Sequence, residues 1–584
     1  MFLQMKLSRP KPFLLALAGL TLPASALFAQ VSLAPVPAAQ PTQPALPAPA
    51  APAFQGEKAP ERIQVQDLAS LKPDEAGLID DSHGALGQGM WGGSSLGVIT
   101  RGLSLLPNQP GWRSLRALEL RLLESPASLP DGKQGGESVI SLRAGKLEAM
   151  GASDAAVQLL GRIPGPQMTP TQRRLQVDAA LLAGDYATAC AQEPALRAAL
   201  QTDSYAQQVQ VLCQFVAGKG NEASLGIDLL RDQKLKDPAF FAAADALSGV
   251  PPAKLDWVAQ VSPASLAMAV LAKLPLADTA VANAAPAVLP ALARDQALAP
   301  ETRIAAAERA VGMGLMPADP LRQLYESAPG DVATAGAETG KSPKSRALLF
   351  KAVESQPVPT QRAELIQRAL AGDPASAPQV YAPVIASIQA TPDLVSFAPW
   401  AIRALLAAGQ TEAVKPWLGV LRAESLIGGQ AAGGLVSGGQ ASATLKPLVH
   451  LAGLNSDPLT ASDLAAWRQA RNEAPADASK RTLFLLSLLS ALGETPPEED
   501  WLPLLDGPAV ISGKVSRSAL SVGLMSAAAS QRKGETVLYT LLSLGDTRDA
   551  EPSEFARLIA SLNAAGLKSD ARALALELAL AYGI

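Results

Sequence analysis

Three stretches of this 584-residue chain carry residue types that could do chemistry. Gly93-Ser94-Ser95-Leu96-Gly97 fits G-x-S-x-G, the nucleophile-elbow pattern, which would make Ser95 an acyl-transfer nucleophile. Such an elbow needs a strand running into a sharp turn and then a helix, so that the serine stands exposed beside an oxyanion hole. Here the approach is HGALGQGMWG, which has no strand character. A triad also needs a histidine base, and the only histidine after the motif is His450, in the helical stretch LKPLVHLAGL. Ala335 to Ser342 (AGAETGKS) fits a loosened phosphate-loop pattern ending in Lys341 and Ser342. A phosphate loop leaves a buried hydrophobic strand, whereas YESAPGDVAT is polar and turn-like, and Pro343 simply opens a helix. Asp80, Asp81 and His83 offer metal-ligand types, but two histidines and two cysteines in the whole chain do not make a zinc set. Adjacent carboxylates in a glycine-rich stretch read as a turn or helix cap. No catalytic, cofactor-binding or metal-ligating residue is therefore assigned, and the chain is not read as an enzyme.

Two other features are more specific. Met90 and Trp91 sit before Gly92 and Gly93, in a chain with only seven tryptophans. They read either as a contact site for a partner or as a plug capping the N-terminal end of a helical array. Cys190 and Cys213 are the only cysteines. The turn between their helices should centre near Gln201 and Thr202, which places both level on antiparallel neighbours. In an oxidising compartment they would form a structural disulfide, with a chain-entropy contribution of about 3 kcal/mol. The other reading is a pair of buried free thiols acting as small hydrophobes.

The elements that must position these residues are helices. Hydrophobic residues make up 48% of the chain but aromatics only 4%. A core of Leu, Val and Ala suits closely spaced helices, and Ala and Leu are the strongest helix formers. Lys and Arg number 49 against 53 Asp and Glu, a net charge of −4 with no basic stretch, so nothing here attracts nucleic acid.

Residues 1–29 have the layout of a secretory signal: Lys6, Arg9 and Lys11, the apolar run Phe13 to Leu22, then small residues. As a helix that run would span only ~15 Å, about half a bilayer core. It reads as a signal cleaved near Ala26 or Ala29, leaving no integral span. Residues 30–60 are a Pro/Ala-rich linker, extended and polyproline-like. Residues 61–110 form a glycine-rich N-terminal segment with a capping helix, 111–245 and 246–426 are helical repeats, 427–443 is a glycine-rich loop, and 444–584 is a C-terminal helical region.

A repeat is visible in 111–245. Gly151, Gly184 and Gly218 recur at spacings of 33 and 34, each followed five residues on by Ala156, Ala189 or Ala223. Glycine serves where a helix ends in a left-handed turn, and alanine where the next helix crosses close to it. Similar turns recur around Gly409 and Gly566. The run Gly184-Asp185-Tyr186 with Ala189 resembles the turn between the two helices of a tetratricopeptide repeat, and the likeness extends over residues 136–235. The family's helix-A Trp and closing Pro are absent. The full layout resembles a set of bacterial exported helical-repeat proteins, some of which carry an antifreeze-glycopeptide label that reflects Ala/Pro composition. The resemblance implies an all-α fold, an α-α superhelix or tetratricopeptide-like solenoid with irregular repeats.

The expectation is a periplasmic or secreted scaffold or adaptor that binds one or more unknown envelope proteins and needs no cofactor. The alternatives are a structural or stress-related envelope protein, and an envelope hydrolase.

Overall fold

The computed structural model describes residues 72–132, 136–251, 261–275, 278–331, 340–372, 375–427, 438–497, 499–500, 518–548 and 550–584. The signal-like segment, the Pro/Ala-rich linker, most of the phosphate-loop lookalike and most of the glycine-rich loop lie outside them. The chain divides after Asp67, and every described residue belongs to the Leu68–Ile584 unit. Among these residues there are 26 α-helices and no strand.

The helices are short because the sequence keeps stopping them. The first ten are α1 (Leu96–Leu105), α2 (Arg113–Glu124), α3 (Val139–Ala149), α4 (Ser153–Leu160), α5 (Pro170–Ala183), α6 (Tyr186–Ala199), α7 (Ser204–Val216), α8 (Gly220–Asp232), α9 (Pro238–Leu247) and α10 (Pro263–Leu271). Consecutive helices pack as neighbours, so the architecture is all-α and solenoid-like. At the repeat turns Gly151, Gly184 and Gly218 adopt φ of 80°, 79° and 72°, left-handed values that suit glycine. Ala156, Ala189 and Ala223 are fully buried where the paired helices cross. Cys190 on α6 and Cys213 on α7 are joined by a disulfide, with Cα atoms 5.5 Å apart. A separate core cluster running from Val177 to Leu274 is centred on α5 to α10, while the main core draws residues from Leu86 through to Ile584.

That long core reflects a feature the repeat pattern does not announce: the first helices pack on the last. α1 and α2 lie against the helix Lys533–Leu544, and α2 also lies against the C-terminal helix Lys568–Ala581. Trp112, which precedes α2, supplies no side-chain cap. The Glu577 carboxylate does so instead, accepting from the Arg113 and Ser114 amides at 2.8 Å each. This satisfies two orphan donors and sets negative charge at the positive end of the helix. Nearby, Arg121 pairs with Asp570, Arg548 Nε donates to the Gly111 carbonyl at 2.7 Å, and Trp112 meets Phe555 edge-to-face at 5.7 Å.

Buried arginines finish the helix ends around α2. Arg116 donates to the Met150 carbonyl at the end of α3 (2.7 Å) and to the Gly314 carbonyl at the end of the helix Pro300–Met313 (3.1 Å). Arg143 donates to the carbonyls of Leu123, Ala76 and Ser125 at 2.7, 2.7 and 2.9 Å. Burial lowers its pKa to about 10, which leaves it charged at neutral pH. Charged donors to otherwise orphaned carbonyls contribute ~1.5–3 kcal/mol each.

Met90 and Trp91 belong to this same seam, which corrects the expectation of a partner contact. Both are only 3% exposed. The Gly534 amide donates to the Met90 carbonyl at 2.9 Å, and a Cβ on Gly534 would stand 2.5 Å from the Trp91 ring. Trp91 is therefore neither an exposed contact nor the plug of a free end; it locks the N-terminal segment to a C-terminal helix. Gly534→Ala should lower stability by ~1–3 kcal/mol through this overpacking, read from urea denaturation; an unchanged midpoint would show that the seam is loose. Reduction, or a Cys190→Ser/Cys213→Ser pair, should cost up to about 3 kcal/mol by the same assay, and denatured, unreduced protein should show no reactive thiol.

Candidate functional site

The serine motif is consumed by structure. Ser95 is the N-cap of α1, its hydroxyl accepting from the Val98 amide at 3.3 Å. Ser94 is buried and donates to Glu535 Oε2 at 2.9 Å, and the same carboxylate oxygen accepts from Arg532 Nε at 2.8 Å. The pattern that resembles an elbow is thus a helix cap beside a buried tie to the C-terminal region, with no strand leading into it.

Asp80, Asp81 and His83 form a single 3-10 turn. The Asp80 carboxylate accepts from Ser82 Oγ at 2.6 Å and from the His83 amide at 3.1 Å, and lies 2.7 Å from His83 Nδ1. The Ser82 hydroxyl first, then His83, hold its pKa down at about 2. This is a capping turn, and among the described residues no cluster of His, Cys, Asp and Glu could hold a metal ion. At the phosphate-loop lookalike, Ser342 caps the helix Pro343–Ser355 by accepting from the Ser345 amide at 3.1 Å.

The chemistry that the sequence does not advertise lies at His450. A cleft of about 860 Å³ opens between the end of the helix Gly438–Leu451, the turn after the helix Pro475–Ala491 and the C-terminal helix. His450 is buried in its wall, with Nε2 at 2.7 Å from Glu494 Oε2. Arg572 and Thr495 line the same space, with Leu459 and Leu489 as apolar floor. His450 is visible in the sequence as one of two histidines, but Glu494 is 44 residues further on. Arg572 lies more distant still on the C-terminal helix, and no spacing rule connects the three. The sequence alone assigns no role to Glu494 or Arg572.

One further polar cluster and one lone acid are withdrawn wholly or partly from solvent. On α3, α5 and α7, the first helices of three successive pairs, the Tyr205 hydroxyl donates to Asp178 while the Arg174 guanidinium sits 4.1 Å over the Tyr205 ring. Burial, then the neighbouring Asp178, raises Glu148 to about 8, and burial raises Asp178 to about 6. On α2, Glu119 is fully buried with neither carboxylate oxygen hydrogen-bonded to protein. Burial raises its pKa to about 8.

No family model, curated protein or solved structure matches this chain. No helix among the described residues is long and apolar enough to cross a membrane.

Glu119 ties the stability of the fold to pH. The unfolded carboxyl loses its proton near 4.5 while the folded one keeps it to about 8, so its effect on stability grows more unfavourable as pH rises between those values. Glu119→Gln should therefore gain stability relative to the parent chain across that window and level off above it, as measured by melting temperature from about pH 5 to 9; parallel curves would overturn the assignment.

Proposed function

We propose that this chain is an exported helical-repeat protein that binds another protein of the cell envelope, as a scaffold or adaptor. The observation that carries the reading is on α8. Leu225 and Leu229 lie one turn apart on one face, 74% and 51% exposed, on the helix that packs against the disulfide-bearing α7. Contiguous exposed apolar surface marks interaction sites, and here a covalently braced support holds it. The pairing of α3 to α8 and their glycine turns agree with tetratricopeptide-like repeats, a type of array that works by presenting surface to partners. Export is supported by the N-terminal signal layout and by a cysteine pair joined as an oxidising compartment would join it. The serine-hydrolase alternative loses its ground because Ser95 serves as a helix cap.

A photo-crosslinking residue placed at 225 in cells should give a discrete adduct with an envelope protein, whereas one at exposed Glu364, on the helix Pro359–Gly372, should not. Leu229→Lys in the same chain should reduce the adduct by at least about tenfold, because burying one leucine contributes ~1.5–3 kcal/mol. The fold should hold, since surface changes usually stay within ~0.5 kcal/mol. An adduct unaffected by Leu229→Lys would overturn the assignment of this face.

A further inference from the structure

The cleft beside His450 is arranged around one unpaired cation. The helix Gly438–Leu451 ends in a left-handed Gly453, φ 74°, with the Gly453 amide returning to the His450 carbonyl (2.8 Å) and the Leu454 amide to that of Val449 (3.1 Å). A Cβ at 453 would stand 2.7 Å from Arg572 Nη1. Glycine therefore lets the guanidinium lie against the helix end and open on the cleft. Arg572 is exposed and has no hydrogen bond or ion pair among the described residues. Glu494, the one acid among the described residues lining the same space, has its Oε2 2.7 Å from His450 Nε2 and makes no ion pair with Arg572. The planar fork of Arg572 is thus left open, and such a fork fits a carboxylate with two parallel hydrogen bonds.

We propose that this cleft binds the free C-terminal carboxylate of a polypeptide. Arg572 would receive the two carboxylate oxygens, Thr495 and Ser456 would face the last peptide group, and Leu459 and Leu489 would take the last side chain. The proposal rests on the binding reading above only in taking the ligand to be a polypeptide; the cleft involves none of the residues of the α8 face. Its volume of about 860 Å³ falls in the ~300–1,000 Å³ range of small-ligand sites, room for a chain end rather than a helix or domain. The Glu494 charge at the same wall disfavours a doubly charged phosphate more than a singly charged carboxylate. Small free carboxylates share the chemistry, so the test must separate them from a peptide terminus.

The test is fluorescence anisotropy with the mature protein and a fluorescein-labelled pentapeptide mixture ending in an apolar residue with a free carboxylate. The same mixture with amidated ends should bind at least about tenfold more weakly, as should the free mixture to Arg572→Gln. Glu494→Gln should bind more tightly, because a like charge is removed; a purely structural role for the site would not move affinity upward. Acetate at peptide concentration should not displace the probe. Equal binding of free and amidated peptides, no binding, displacement by acetate, or an Arg572→Gln chain that melts lower yet binds unchanged would each overturn the proposal. If the crosslink from residue 225 persists while the peptides fail, the cleft assignment falls and the scaffold reading stands. Peptide binding without that crosslink keeps the cleft and removes the α8 face.

Discussion

The carboxylate of Glu577 caps the first amides of α2 across 464 residues of sequence, and the two ends of the array are joined at that contact. An open solenoid leaves two ends, each needing polar capping repeats. Here the ends cover one another instead. α2 has its N-terminus satisfied by the C-terminal helix, its C-terminus satisfied by Arg143, and its own Arg116 spent on the ends of two other helices. One helix so placed fixes the register of both termini and of the helix Pro300–Met313 between them.

The same economy explains why the motifs suggestive of catalysis are silent. Short helices generate many unsatisfied amides and carbonyls, and Ser, Asp and Arg are the side chains that satisfy them. Ser95, Ser342 and Asp80 are each engaged as caps. Patterns written in glycine and serine are therefore expected by chance in a protein that keeps starting and stopping helices, whereas His450, Glu494 and Arg572 line a cleft.

Local features were legible in the sequence because they obey local rules. Gly184 with Ala189 specifies a turn and a close crossing, and the Cys190–Cys213 pairing follows from equal distances to one turn. The seam was not legible, because Trp91 meeting Gly534 and Ser94 meeting Glu535 are far apart in the chain, the latter by 441 residues, and share no period. An exposed and a buried tryptophan look alike beside flexible glycines, so Trp91 reads as a contact or as a plug, and neither reading anticipates a distant helix. The cleft was hidden for the same reason: its residues are brought together by the return of the C-terminal helix.

The closure also sets an order of events during synthesis. The Ser94 hydroxyl must wait 441 residues for its carboxylate, and at ~5–20 residues per second α1 and α2 spend on the order of tens of seconds without their partners. Over that interval Ile99, Leu103, Leu115 and Leu118, all buried in the finished fold, have α3 beside them but lack the part of their cover that the C-terminal helices supply. The middle helices can pair as they emerge, whereas the first helices are completed last. A chain that stops short of its final helix is then damaged at its beginning as well as at its end.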